Sequence, residues 1–302
     1  MDRRRLVAAL SLVAATLFWA GNYVLGVVAV GELDPVSLVF ARWVIAVVPL
    51  VLIAQVTEAP RWREVLRHWR WLVALSLTGL AGYNLFLYAA LQFTGAFDAS
   101  LINAVNPALI LLAAAIFLQQ RLTPRGIGGV LLALLGVLLV LTRGHLEAIA
   151  GLRLGPGELL MFGAVGVWTA YTIIGRRAPR MPPVTSTAVQ AAVTVVAMTP
   201  FVVLNGFHGP RTAAGAWSLA FIAIFPSVLS YLLWNRALRV IEPGRAGVYL
   251  NLVTVFTALI AVLMGQTLRW SDVIGGLLVI GGVAFTSGRT RAPRAVEVSR
   301  GS

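Results

Sequence analysis

Ten stretches of the chain, at about 6 to 29, 36 to 56, 70 to 91, 97 to 118, 125 to 142, 157 to 175, 184 to 204, 214 to 235, 245 to 264 and 272 to 288, are apolar almost without interruption. Each is long enough for a helix that crosses roughly 30 Å of hydrocarbon, which takes about 20 residues. The strands of a membrane barrel would be nearer about 10 residues and would alternate polar with apolar positions. These runs are continuous, so the pattern predicts an all-α polytopic membrane protein with ten transmembrane helices. The first run follows Met1-Asp2-Arg3-Arg4-Arg5, as a secretory signal would. It is longer than the roughly 7 to 15 residues of a signal core and carries Trp19, Asn22 and Tyr23 in its second half, so it reads as helix one.

Composition agrees. With 59% hydrophobic residues, 12% charged residues and a mean hydropathy of +0.87, a water-soluble domain is excluded. The absence of cysteine removes disulfides, thiolate-bound metals, iron–sulfur clusters and thiol nucleophiles. A net charge of +13 would suggest nucleic acid in a soluble protein, but its placement argues for a lipid bilayer instead. All 24 basic residues are arginines, and all but Arg42 lie in gaps between runs or at the chain ends. Alternate gaps hold nineteen of them on one side, from Arg3, Arg4 and Arg5 through Arg121 and Arg245 to Arg300, against Arg143, Arg153, Arg211 and Arg269 on the other. The positive-inside rule then puts both termini in the cytoplasm.

The chain also repeats itself. Trp19 and Gly26 recur as Trp168 and Gly175, Ala90, Leu91 and Ala99 as Ala237, Leu238 and Ala246, and Gln120, Gly129 and Gly136 as Gln266, Gly275 and Gly282. Any one match is cheap; their order and nearly constant offset are not. The chain divides into a first five-helix repeat at 1–148, a second at 149–290 and a basic cytoplasmic tail at 291–302. An odd number of spans turns the second repeat upside down, and inverted repeats are a frequent plan of secondary transporters, with substrate bound where the halves meet.

Phe18-Trp19-Ala20-Gly21-Asn22-Tyr23 in helix one, Ala41-Arg42-Trp43 in helix two, Ala90-Leu91 before Ala99-Ser100-Leu101, and Arg121-Leu122-Thr123 before Gly129 and Gly136 resemble the EamA family of the drug/metabolite transporter superfamily. The resemblance spans nearly the whole chain. It implies a ten-helix exporter of amino acids and other small metabolites in the bacterial inner membrane, with a central cavity lined by helices 1, 3, 4, 6, 8 and 9. Within the family it points toward the YddG-like aromatic amino-acid exporters. One departure stands out: where the family usually has Glu at the end of helix four or nine, this chain has Gln120 and Gln266, which puts an acid-based coupling step in doubt.

A transporter site needs polar and aromatic side chains facing the bundle interior. The candidates are Trp19, Asn22 and Tyr23; Tyr83, Asn84 and Tyr88; Asn103 and Asn106; Trp168 and Tyr171; Tyr231, Trp234 and Asn235; and Tyr249 and Asn251. Asn84 and Tyr88 are four residues apart, as are Tyr231 and Asn235, so each pair shares a helix face. The plainer alternative is that buried Asn cross-links helices and that Trp and Tyr form interfacial belts. The belt explanation is preferred for Trp43, Trp62, Trp69, Trp71, Trp217 and Trp270, near run ends or in gaps. Arg42, alone inside a run, is expected to snorkel toward the interface, to pair with Asp34, Asp98 or Glu158, or to meet a substrate carboxylate.

No acidic residue falls near the middle of a run, which favours facilitated diffusion or exchange over a proton relay. Pro107 and Pro226 interrupt helices four and eight as hinges or as simple bends. Three histidines without metal-type spacing, no phosphate loop and no nucleophile set leave no enzyme signature, and no cofactor or metal is expected. The sequence thus predicts a non-enzymatic secondary transporter of small metabolites working by alternating access. A non-transporting scaffold or accessory subunit is the alternative.

Overall fold

The computed structural model describes residues 3–120, 122–145, 154–241 and 247–286. Arg121, Arg153, Arg245, Ala246 and the tail at 291–302 lie outside the described residues. All regular structure among the described residues is helical. Eight helices are long and apolar enough to cross a membrane: α1 Arg3–Val30, α2 Pro35–Thr57, α3 Trp69–Leu91, α4 Ala96–Phe117, α5 Pro124–Leu141, α6 Pro156–Arg177, α7 Pro183–Asn205 and α8 Ala213–Ala237. Two shorter apolar helices follow, α9 Tyr249–Leu263 and α10 Trp270–Thr286. The chain is a multi-pass membrane protein.

Helix starts are written into the sequence. Asp34, Thr123 and Thr212 cap α2, α5 and α8 by accepting from the amides of Ser37, Gly126 and Gly215. Proline stands in the first turn of α2, α5, α6 and α7, where its missing N–H costs nothing. The bundle has a near end, where α1 begins, and a far end, where it finishes.

Packing pairs α2 with α7 and α5 with α10, α1 with α8 and α9, and α6 with α3 and α4. Exchanging each helix for the one five further along maps this set of pairs onto itself. The α5–α10 seam is the closest. A Cβ on Gly136 would stand 2.5 Å from the Gly275 carbonyl oxygen, and one on Gly282 would stand 2.5 Å from that of Gly129. These contacts run antiparallel and bring backbone against backbone, as small residues allow in lipid.

Regular winding fails at matching places in the two halves. α3 widens into a π-segment at Ser76–Gly82 and α8 into one at Phe225–Leu229. α4 is interrupted at Ala104 and Val105, just before Pro107, and α9 opens in a 3-10 turn at Gly247–Asn251 before regular winding starts at Leu252. Within a bilayer an unsatisfied backbone group costs several kcal/mol, so such turns belong where protein or an aqueous cavity meets them. They are also where functional sites gather in helices.

Candidate functional site

The widened turn of α8 sets up the centre of the molecule. Pro226 has no N–H to give to the carbonyl of Ile222, four residues back. The Ser227 hydroxyl donates to that oxygen instead, at 2.6 Å. The Pro226 carbonyl in turn accepts from Trp19 Nε1 of α1 at 3.2 Å. The Ser227 hydroxyl is itself the acceptor for Arg42 Nε of α2 at 2.7 Å.

Arg42 is 4% exposed. Its Nη1 donates to Asn84 Oδ1 at 2.5 Å and Tyr88 OH at 2.6 Å, with Asn22 Oδ1 at 3.3 Å. Tyr88 OH donates to Asn22 Oδ1 at 2.8 Å, and Asn84 Nδ2 to the Leu80 carbonyl in the α3 π-segment at 2.6 Å. The guanidinium also lies 5.9 Å from the centre of the fully buried Tyr88 ring. Every partner is neutral. The pairing of Arg42 with Asp34, Asp98 or Glu158 expected from sequence is not made, since no carboxylate lies within ion-pair distance of it among the described residues. Asp34 turns to Ser37 and His208 instead, while Asp98 and Glu158 line a cavity at the far end. Removing a guanidinium from water costs several kcal/mol, and four dipolar partners offset part of that. Nη2 makes no hydrogen bond among the described residues, so one nitrogen of the cation is left over.

Beside this cluster a second network crosses the bundle. Tyr23 and Tyr83 share a hydrogen bond at 2.8 Å, Tyr83 OH donates to Asn103 Oδ1 at 3.2 Å, and Asn106 Nδ2 donates to the same oxygen at 2.7 Å. Asn106 Oδ1 is buried without a partner. Trp168 packs on Tyr83 with ring centres 4.9 Å apart and on Tyr171 at 5.0 Å. Tyr171 lies flat against Gly79 in the α3 π-segment, where a Cβ would sit 2.4 Å from its ring. A third cluster joins Trp19 to Tyr231 at 6.0 Å and to Trp234 at 5.4 Å. These rings are half-buried although they pack between helices.

Three sequence candidates take no part in these hydrogen-bond and ring contacts. Tyr249 packs on a small core of Ala8, Leu12 and Ala237 near the near end, Asn235 makes no hydrogen bond among the described residues, and Asn251 is buried with Nδ2 unpartnered. The belt reading is corrected at Trp43, which is fully buried, whereas Trp69, Trp217 and Trp270 are exposed. Sequence reasoning missed Ser227. Its signal was its place directly after Pro226, where a hydroxyl can serve the carbonyl that proline leaves open.

An all-helical bundle with a buried, polar and aromatic interior is the architecture of a polytopic membrane carrier. The chain belongs to the EamA-like transporter family, which matches it twice, over residues 6–142 and 155–288. It is 30% identical over 288 residues to the uncharacterized transporter YyaM of Bacillus subtilis, covering 94% of each chain. It is 25% identical over 221 residues to the aromatic amino acid exporter YddG of Ancylobacter novellus, covering 69% of this chain and 73% of that one. A crystal structure with 22% identity superposes with a TM-score of 0.67 over 93% of this chain and 97% of that one, a likeness of fold alone.

Proposed function

We propose that this protein is a secondary transporter exporting amino acids, aromatic or otherwise neutral, across the bacterial inner membrane by alternating access. The observation that carries the substrate class is Arg42, a buried cation with neutral partners and an open Nη2. A substrate carboxylate is the counter-charge that the open Nη2 fits, through a charge-assisted hydrogen bond. The surrounding rings, Tyr83, Trp168 and Tyr171 on one side and Trp19, Tyr231 and Trp234 on the other, offer faces to an apolar side chain and to an ammonium group.

In this reading all ten helices span the membrane as two inverted five-helix repeats, with both termini cytoplasmic. The double family match, the antiparallel glycine seam and the helix pairs that map onto themselves under a shift of five support it. The nineteen-to-four arginine asymmetry supports the orientation. Alternating access then follows from rocking one half against the other, with the hydrogen bonds around Arg42 and Tyr23 breaking and re-forming. No carboxylate lies within ion-pair distance of Arg42 among the described residues, which favours exchange or facilitated diffusion over a proton relay.

The test is counterflow into liposomes holding the purified protein, with labelled L-phenylalanine, L-tryptophan and L-leucine. Uptake driven by unlabelled internal substrate, absent from empty liposomes, is expected. Absence of flux for all three, with folded protein, would defeat the amino-acid reading and favour the accessory-subunit role.

A further inference from the structure

At the far end, where α4, α6 and α10 begin and α5 finishes, a cavity of about 380 Å³ is lined by Asp98, Glu158, Arg143 and Arg269, with Phe93 and Leu154 on its wall. Asp98 is within electrostatic reach of the other three. Yet no ion pair joins any of them, and none of the four side chains makes a hydrogen bond among the described residues. The contrast is Asp272 in the same region, whose carboxylate is spent on the Arg269 amide at 2.8 Å and on the Ser271 hydroxyl. Asp98 and Glu158 sit in first helical turns, where the dipole favours an acid. That accounts for the two acids but not for two guanidinium groups facing the same space without closing on them.

We infer that this cavity is a binding vestibule for a zwitterion, which takes its ammonium group at Asp98 and Glu158 and its carboxylate at Arg143 and Arg269. Opposite charges held apart across a space of this size make a field that a small molecule with both charges completes and that a molecule with one charge only half satisfies. The volume lies within the range of small-ligand pockets. Phe93 and Leu154 supply apolar surface for a side chain. The use of the site rests on the transport reading, as the far mouth through which an exported amino acid leaves. The binding itself does not.

The absence of cysteine allows a direct test on the full-length protein. Leu154→Cys, labelled with an environment-sensitive fluorophore, is titrated in detergent with L-leucine and L-phenylalanine, and then with N-acetyl-L-leucine and L-leucine methyl ester. A saturable response to the amino acids is expected, with half-saturation at least about tenfold higher for each singly charged derivative, the size of one lost charged hydrogen bond. Asp98→Asn with Glu158→Gln, and separately Arg143→Gln with Arg269→Gln, should weaken the amino-acid response to a similar degree without changing thermal unfolding. Equal responses to all compounds, no response to either amino acid, or an unaltered response in both double variants would overturn the inference. Vestibule binding without counterflow would defeat the transport reading alone, and counterflow without vestibule binding would defeat only this site.

Discussion

Arg42 and Ser227, 185 residues apart in the chain, are joined by a 2.7 Å hydrogen bond from the guanidinium Nε to the hydroxyl, which in turn donates to Ile222. The bond ties α2 of the first half to the widened turn of α8 in the second. It also fixes the guanidinium plane, so that Nη1 faces Asn84 and Tyr88. Arg42→Gln should therefore lower counterflow by about tenfold to a hundredfold, the range for loss of a charge-assisted hydrogen bond. Arg42→Lys should rescue little, because an ammonium cannot serve Ser227 and Asn84 from the two edges of one plane. Initial rates in liposomes check this, with thermal unfolding of each variant to separate transport from folding.

The Trp168 ring packs at a tilt against both Tyr83 and Tyr171. Trp168→Ala is expected to raise the half-saturation concentration for L-phenylalanine severalfold more than that for L-leucine, since ring–ring contacts are worth about 0.5–1.5 kcal/mol beyond area. Competition between the two amino acids for counterflow would reveal it. An equal loss for both would remove Trp168 from the side-chain wall.

Gly136 and Gly282 tolerate no added carbon, because a methyl group on either would stand 2.5 Å from a backbone carbonyl oxygen of the facing helix. Gly136→Ala and Gly282→Ala should each destabilise by about 1–3 kcal/mol through overpacking. Gly166, on α6 and with open space around it, should accept the same change at little cost. Thermal unfolding midpoints of the three variants make the comparison.

Glu32 follows α1 and grips the start of α8: Thr212 donates to it through its hydroxyl and its amide, and Arg211 through its amide. These bonds, the Thr212 hydroxyl first, hold its carboxyl below the ordinary 4.5. A carboxyl with a lowered folded-state pKa stabilises the fold above its unfolded value, and that stability is lost as pH falls through the folded value. Glu32→Gln should thus lower the unfolding midpoint at pH 7 by a few degrees. The gap to the unmodified protein should close as pH drops below 4.5. A gap that persists at acid pH would mean the carboxylate charge is not what holds the loop.

Much of this architecture can be read from residue order. Apolar runs mark the helices closely because lipid forces every backbone group to be satisfied within its own segment. Asp34-Pro35 and Thr123-Pro124 mark their starts because cap and ring chemistry act locally. Partners across the bundle are another matter. The sequence singles out Arg42 but offers it acids, because opposite charge is the only pairing visible without coordinates. The neutral ring of Asn22, Asn84, Tyr88 and Ser227 depends on the π-segments of α3 and α8, which no hydropathy pattern encodes. Hydropathy misplaces Trp43 for a related reason: nearness to a run's end says how deep a residue lies, not which way it faces.

The glycine seam of α5 and α10 leaves no slack. With carbonyl oxygens of one helix seated against the α-carbons of the other, the two cannot slide or part without losing contact along their whole length. In the alternating-access reading the seam is then the fulcrum of the molecule, the line that stays still while everything on either side of it turns. In the same reading the give for that turning falls to the widened turns of α3 and α8, so that tight seam and open turns act as two parts of one lever.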